Sequence, residues 1–334
     1  MTHITCRDNA DQLSRLVRAV FQMLARSLKR GIHAELVCGL GIVLVIACLS
    51  AVTIGDDAAG TAKEVCIVQD PLITEASGLA VCRTTKDAVW IHNDSGDVPR
   101  LFLVGLNGTT QGIVNVKDVT ATDWEDMCSF ELDNESWLLI GDIGDNLRVR
   151  GTKSPRCQLL LLKEPKPAEA GSKLGTPEST INVVRTIEFQ FPDGPHDCEG
   201  LAVDTLSRAI LLVTKADPAN SALYSLPLTT TKGRESLTAE LVAPLSVMYA
   251  TAIDISSDGR RMAIVNMFSG VMLTRDDPEK KSWADASSES VTALTLPVRK
   301  QGESVCFAAD GKSLLLNSEG KSQPLWQVAL ETEE

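Results

Sequence analysis

Carboxylates return at one repeating place in this sequence, and their neighbours return with them. The segments EASGLAVC from Glu75, DWEDMCSF from Asp123, DCEGLAVD from Asp197, YATAIDIS from Tyr249 and QGESVCFA from Gln301 align on their third residue. That column holds Ser77, Glu125, Glu199, Thr251 and Glu303, at steps of 48, 74, 52 and 52 residues. After each segment an apolar run ends in a second polar group. These ends carry His92, Asn93, Asp94 and Asp97, then Asp142 and Asp145, then Lys215, Asn266 and Glu319. Carboxylates brought within a few ångströms repel, so such a group must take up a proton, a lysine or a metal. Lys215 is the one cation in the aligned columns. All-oxygen donors from several loops suit Ca²⁺, whereas zinc would ask for His and Cys clusters that the pattern lacks. The expected metal ligands are Asp94, Asp123, Glu125, Asp142, Asp145, Asp197, Glu199, Glu303 and Glu319. His92 and His196 adjoin the acids, which should raise their pKa and make them proton donors or, with Lys215, contacts for an anionic substrate. Taken one at a time, each acid would serve equally well as a turn cap bonded to backbone N–H groups.

A period near fifty residues with strand-like contents is the signature of a β-propeller. Each unit offers four apolar runs, for example AVWIHND, RLFLVGL and GIVNVKDV after the first opening, joined by turn residues. The last unit lacks a fourth run, and KEVCIVQD, residues 63–70, stands alone before the first. Closing the ring with that N-terminal strand removes an open edge. Five four-stranded antiparallel blades are therefore expected. The long step of 74 contains the Pro-, Gly- and Ser-rich residues 163–180, read as a loop; a sixth blade is the alternative. In a blade the inner strand runs down the channel and the second returns, so column residues and second-strand ends meet at one channel mouth.

Charge divides the chain. Residues 1–47 carry six Lys/Arg against three Asp/Glu, and the remainder carries 26 against 41. So acidic a body argues against nucleic acid. Leu36 to Gly55 is a run of 20 uncharged residues behind Arg26, Lys29 and Arg30, long enough for a signal sequence or an anchor. Val45-Ile46-Ala47-Cys48 also resembles a bacterial lipobox. An uncleaved anchor, a lipidated Cys48 and plain secretion all place the body outside the cytoplasm. The expected division is a basic leader with its signal or anchor segment over 1–55, a short linker over 56–62 and a propeller over 63–334. A basic amphipathic helix on the membrane is one reading of the first 34 residues, and a translation start at Met23 is the other. Nine cysteines occur without a CxxC; Cys82, Cys128, Cys198 and Cys306 fall in the recurring inner strands and read as packing residues.

The ordered series EASGLA, WIHNDSGD, DWEDM, IGDIGDN, DCEGLA and GESVCF resembles a family of extracytoplasmic bacterial propeller proteins over residues 75–320. More distantly, the acid-lined mouth is similar to those of phytase-like and calcium-activated nucleotidase propellers. That likeness implies calcium at the centre; Thr251, where an acid would stand in the fourth unit, departs from it. The expected function is a monomeric, membrane-associated binding or scaffold module with a Ca²⁺-binding mouth. The alternatives are a Ca²⁺-dependent hydrolase of phosphoesters or other esters and, further off, a lactonase-like enzyme. No GxSxG elbow, P-loop or dinucleotide fingerprint is present.

Overall fold

The computed structural model describes residues 62–166, 171–172 and 179–330; the leader, its anchor and Cys48 lie outside them. The described chain folds as an all-β propeller of five blades. Blade one runs through Ala76–Val81, Ala88–Asn93, Arg100–Gly105 and Thr110–Lys117. Blade two uses Trp124–Leu132, Glu135–Asp142, Cys157–Lys163 and Arg185–Gln190. Blade three is built of Cys198–Asp204, Ala209–Thr214, Ala222–Pro227 and Glu240–Pro244. Blade four follows with Ala250–Ile255, Arg261–Asn266, Gly270–Thr274 and Val291–Leu294. Gly302–Phe307, Ser313–Ser318 and Pro324–Ala329 make blade five, whose outer strand is Ala62–Ile67 from the N-terminal side, antiparallel to Pro324–Ala329. The ring thus closes with the strand expected to close it.

Sequence and position in the blade agree. Inner strands are rich in Ala, Gly, Ser and Cys because they crowd towards the axis. At Gly200 a β-carbon would sit 3.2 Å from the backbone of Ala252 and Ile253 in the next blade, a spacing few side chains tolerate. Second strands are almost continuously apolar, as in Ala88–Asn93, where every residue is buried, because neighbouring blades cover both faces. Trp90 and Trp124 are buried and pack in this interior. All six cysteines of the propeller are free, and five are buried, as packing residues would be.

Residues 163–180 are not simply a loop. Ser179–Asn182 lies parallel to Thr110–Lys117 on the outer edge of blade one, and Gly171–Ser172 pairs with the same strand. The fourth strand of blade two follows only at Arg185–Gln190. Gly233–Thr238, between the third and fourth strands of blade three, repeats the manoeuvre by adding parallel to Arg185–Gln190. An outer strand leaves a row of unpaired N–H and C=O groups, and the passing linker satisfies them. A helix, α1 (Trp283–Glu289), fills the connection in blade four, closed at its start by a Ser282–Asp285 capping box.

The axis is tied by carboxylates that the sequence pattern did not single out. Fully buried Asp126 accepts from the backbone N–H of Met127 at 2.8 Å, Leu201 at 3.0 Å and Ile253 at 3.1 Å, linking blades two, three and four. Asp254 accepts from Phe307 N–H at 2.7 Å, linking blade four to blade five.

Candidate metal centre at the channel mouth

Every inner strand slips by one residue, and in each blade the slip falls at the aligned column. Register shifts lie between Ala76 and Gly78, Trp124 and Met127, Cys198 and Gly200, Ala250 and Ala252, and Gly302 and Ser304. Ser77, Glu125, Glu199, Thr251 and Glu303 therefore sit in bulges, which bend the strand and re-aim the side chain. All five are buried. The second strand returns beside each bulge. Asp94 N–H donates to Glu75 O at 2.8 Å, Ile143 N–H to Asp123 O at 3.0 Å, Lys215 N–H to Asp197 O at 2.9 Å and Glu319 N–H to Gln301 O at 2.9 Å. This repeated bond brings the two acid-bearing ends of a blade together.

The carboxylates converge electrostatically. Burial raises Asp94, Asp197 and Glu303 above the ordinary carboxylate range, and it pushes Asp123 up to about 6 and Glu319 up to about 7, in each case aided by the charges of neighbouring acids. Glu125 is raised well above its ordinary value by burial and then by the charge of Glu199, to which it is hydrogen-bonded. Lys215 Nζ lies 3.0 Å from Glu199 Oε1 and opposes the burial effect there. Burial nonetheless prevails at Glu199 and pushes it up to about 8, so both members of the pair are raised.

Asp94, Asp123 and Glu125 form the open part of this group. One oxygen from each lies within 4.8 Å of the others, a span that a single cation bridges. The remaining expected ligands have other commitments. Asp142 is fully buried and accepts from Arg150 Nη1 at 2.8 Å, Gln158 Nε2 at 2.9 Å and Asp123 N–H at 3.1 Å. Asp145 caps its own loop, taking the N–H groups of Val149 and Arg150, each at 2.8 Å. Asp197 accepts from Asp145 N–H at 2.8 Å and so joins blades two and three. Glu199 and Glu303 face Lys215, and Glu319 is bonded by the Gln301 amide.

The two histidines lie in different settings. Burial pushes His92 down to about 4, contrary to the rise expected beside acids; its ring is fully buried against Gly78, edge-on to Trp124, with Nδ1 2.9 Å from Asn93 O. His196 lies in a side cavity of about 220 Å³ with Phe191 and Arg150, its Nε2 2.9 Å from Asp193 Oδ1.

Gly144 was missed in the sequence, although the GDIGDN turn contains it. A β-carbon there would overlap Glu125 Oε1 and Asp123 Oδ2, so the absence of a side chain makes the room in which these oxygens meet. Arg150 Nη1 holds the Gly144 carbonyl at 3.2 Å and fixes the turn. Gly144→Ala should lower calcium affinity by at least about tenfold, in the manner of supporting-shell substitutions. Isothermal calorimetry measures it, and unchanged affinity would remove the turn from the site.

The raised pKa values also set a pH dependence. A carboxyl raised in the folded state holds more protons than in the unfolded chain, so stability falls as pH rises through that interval. With Asp123 near 6 and Glu319 near 7, the metal-free protein should be more stable at pH 5 than at pH 8. Urea midpoints in EDTA at the two pH values check the sign, and calcium should flatten the difference.

No protein-family model matches the chain, and no curated protein matches it in sequence. Among solved structures it is similar to a glucose dehydrogenase at TM-score 0.44 and 12% identity, covering 81% of this chain and 100% of that one. A gluconolactonase from Xanthomonas campestris gives TM-score 0.45 and 9% identity over 81% and 89%. A chain of a nidogen/laminin complex gives TM-score 0.39 and 14% identity over 74% and 73%. These are distant likenesses of propeller fold, and they say nothing of this mouth.

Proposed function

We propose that this is an extracytoplasmic, membrane-associated propeller that works as a binding or scaffold module around a divalent cation, with Ca²⁺ the ion its oxygen donors suit best. The observation that carries the reading is the Asp94, Asp123 and Glu125 group, three carboxyls facing one another with no Lys or Arg in ion-pair contact among the described residues. Extracytoplasmic placement rests on the leader sequence alone.

Exposed apolar side chains support a binding role. Val298, Leu147 and Phe268, exposed by 93%, 81% and 75%, lie on connections that follow second or fourth strands. Those connections share the face that carries the mouth. A partner closing over the mouth would cover them.

Catalysis is the second reading, favoured by Glu125, whose pKa burial and then the charge of Glu199 raise well above the ordinary carboxylate range. A metal at the group would activate water, and Glu125 would supply a proton to a leaving group. Calcium calorimetry combined with a phosphoester and carboxylester panel separates the readings. Binding without calcium-dependent turnover supports the module, turnover lost in Glu125→Gln supports the hydrolase, and no binding of calcium, magnesium or manganese sinks both.

A further inference from the structure

Three arginines among the described residues are more than nine-tenths buried, and they are not alike. Arg150 is paired with Asp142 at 2.8 Å and donates to the carbonyls of Gly144, Pro155 and Arg156. Arg275 is paired with Asp204 at 2.7 Å, donates to Gly259 O at 2.6 Å and stacks on Trp283. Each has the carboxylate that a buried guanidinium requires. Arg299 has none within ion-pair distance among the described residues. Its Nη2 donates to Asn266 O at 2.9 Å, while Nε and Nη1 are buried without any acceptor.

The place of Arg299 matters as much as its state. It lies on the connection from blade four into Gly302–Phe307, on the mouth side of the disc, and its guanidinium occupies the space a side chain on Gly302 would fill. Glu303, next along the chain, belongs to the acidic mouth and acts on Arg299 through its charge without forming an ion pair. Glu303 also acts on Lys215, so the far wall of the mouth already holds a cation that competes for it. The acceptors missing from Nε and Nη1 are not supplied by the surrounding residues.

We propose that Arg299 is the anion-recognising residue of the mouth, and that the ligand class is an oxyanion, a carboxylate or a phosphate group, held between the guanidinium and the cation at Asp94, Asp123 and Glu125. This rests on the cation reading given above for the bridged form. The guanidinium part stands by itself, because an unpaired buried arginine calls for an oxygen acceptor with or without a metal. Guanidinium donors suit both groups, and charge-assisted bonds to them are the strong class of hydrogen bond.

Calorimetry on the full chain in detergent, titrated with inorganic phosphate and with acetate, in calcium and in EDTA, tests the proposal. Saturable binding of either anion is expected, with Arg299→Gln weakening it roughly ten- to hundredfold and Arg299→Lys recovering part of the loss. Should Arg299→Gln fail to fold, the Nε–H resonance of Arg299 in the ¹⁵N-arginine-labelled wild type serves instead and should move on titration. A response to phosphate alone or acetate alone identifies the group; a response to both leaves the oxyanion class intact. Anion binding that is equal in EDTA keeps Arg299 in its role and overturns the bridge to a cation. Calcium binding with no anion response, or an anion response unchanged in Arg299→Gln, overturns the proposal and leaves the cation reading standing.

Discussion

Saturating calcium should raise the melting temperature of the protein, and Asp123→Asn or Glu125→Gln should abolish the rise. A ligand that binds the native state alone stabilises it by about 2.7 kcal/mol when present at about a hundred times its Kd. For a domain of this size that is about 5–10 °C, since about 1 kcal/mol moves the midpoint by about 2–4 °C. The substitutions should act in the opposite sense when calcium is absent. Asp94, Asp123 and Glu125 lie close enough to repel, and burial penalises each charge. Removing one ionisable group relieves that repulsion, so the metal-free Asp123→Asn protein should melt no lower than the metal-free wild type. Differential scanning fluorimetry in EDTA and in calcium gives both numbers from one plate. A wild-type midpoint indifferent to calcium would refute the cation site, and an Asp123→Asn midpoint that falls in EDTA would show that Asp123 is structural.

The reach of sequence reasoning here follows from what repeats. Blade number, ring closure by an N-terminal strand and convergence of acids at one mouth were legible because strand openings recur in register, and register determines the face of the disc. The bulges were not legible. An extra residue in a strand leaves no mark on composition, yet it is what aims Glu125 and Glu199 at each other. Nor does sequence distinguish an open carboxylate from a committed one. Asp123 and Asp142 look alike in their motifs, and only the approach of Arg150 and Gln158 shows that Asp142 is already satisfied. His92 failed for a related reason: adjacency to acids along the chain predicted a raised pKa, but burial against Gly78 removes water and dominates. The linker strands Ser179–Asn182 and Gly233–Thr238 were hidden because they are polar and gain their order from an edge in another blade.

Asp126→Ala should be the most damaging single substitution in the propeller, more so than loss of any ligand in the open group. The carboxylate accepts three backbone N–H groups from three different blades and is wholly buried. Truncation to alanine leaves all three donors without an acceptor, and each unsatisfied buried donor costs about 1–3 kcal/mol. Even at the low end the sum exceeds about 3 kcal/mol, the upper part of the range for single substitutions. Asparagine provides the comparison that separates lost bonds from lost volume. Its one carbonyl oxygen can keep the donors of Leu201 and Ile253, both of which use Oδ2, while its amide would face Met127 N–H, a donor against a donor. Asp126→Asn should therefore cost clearly less than Asp126→Ala, by the worth of about two hydrogen bonds. Urea denaturation with a common m-value measures the difference. Equal losses in the two variants would mean that the charge, and not the three bonds, is what ties the blades at the axis. The acidic mouth depends on this tie, because Asp126 follows Glu125 directly and its bonds hold the bulged strand in place. A calcium response weakened in Asp126→Asn, with the open group itself untouched, would show that the axial carboxylate positions the mouth as well as stabilising the ring.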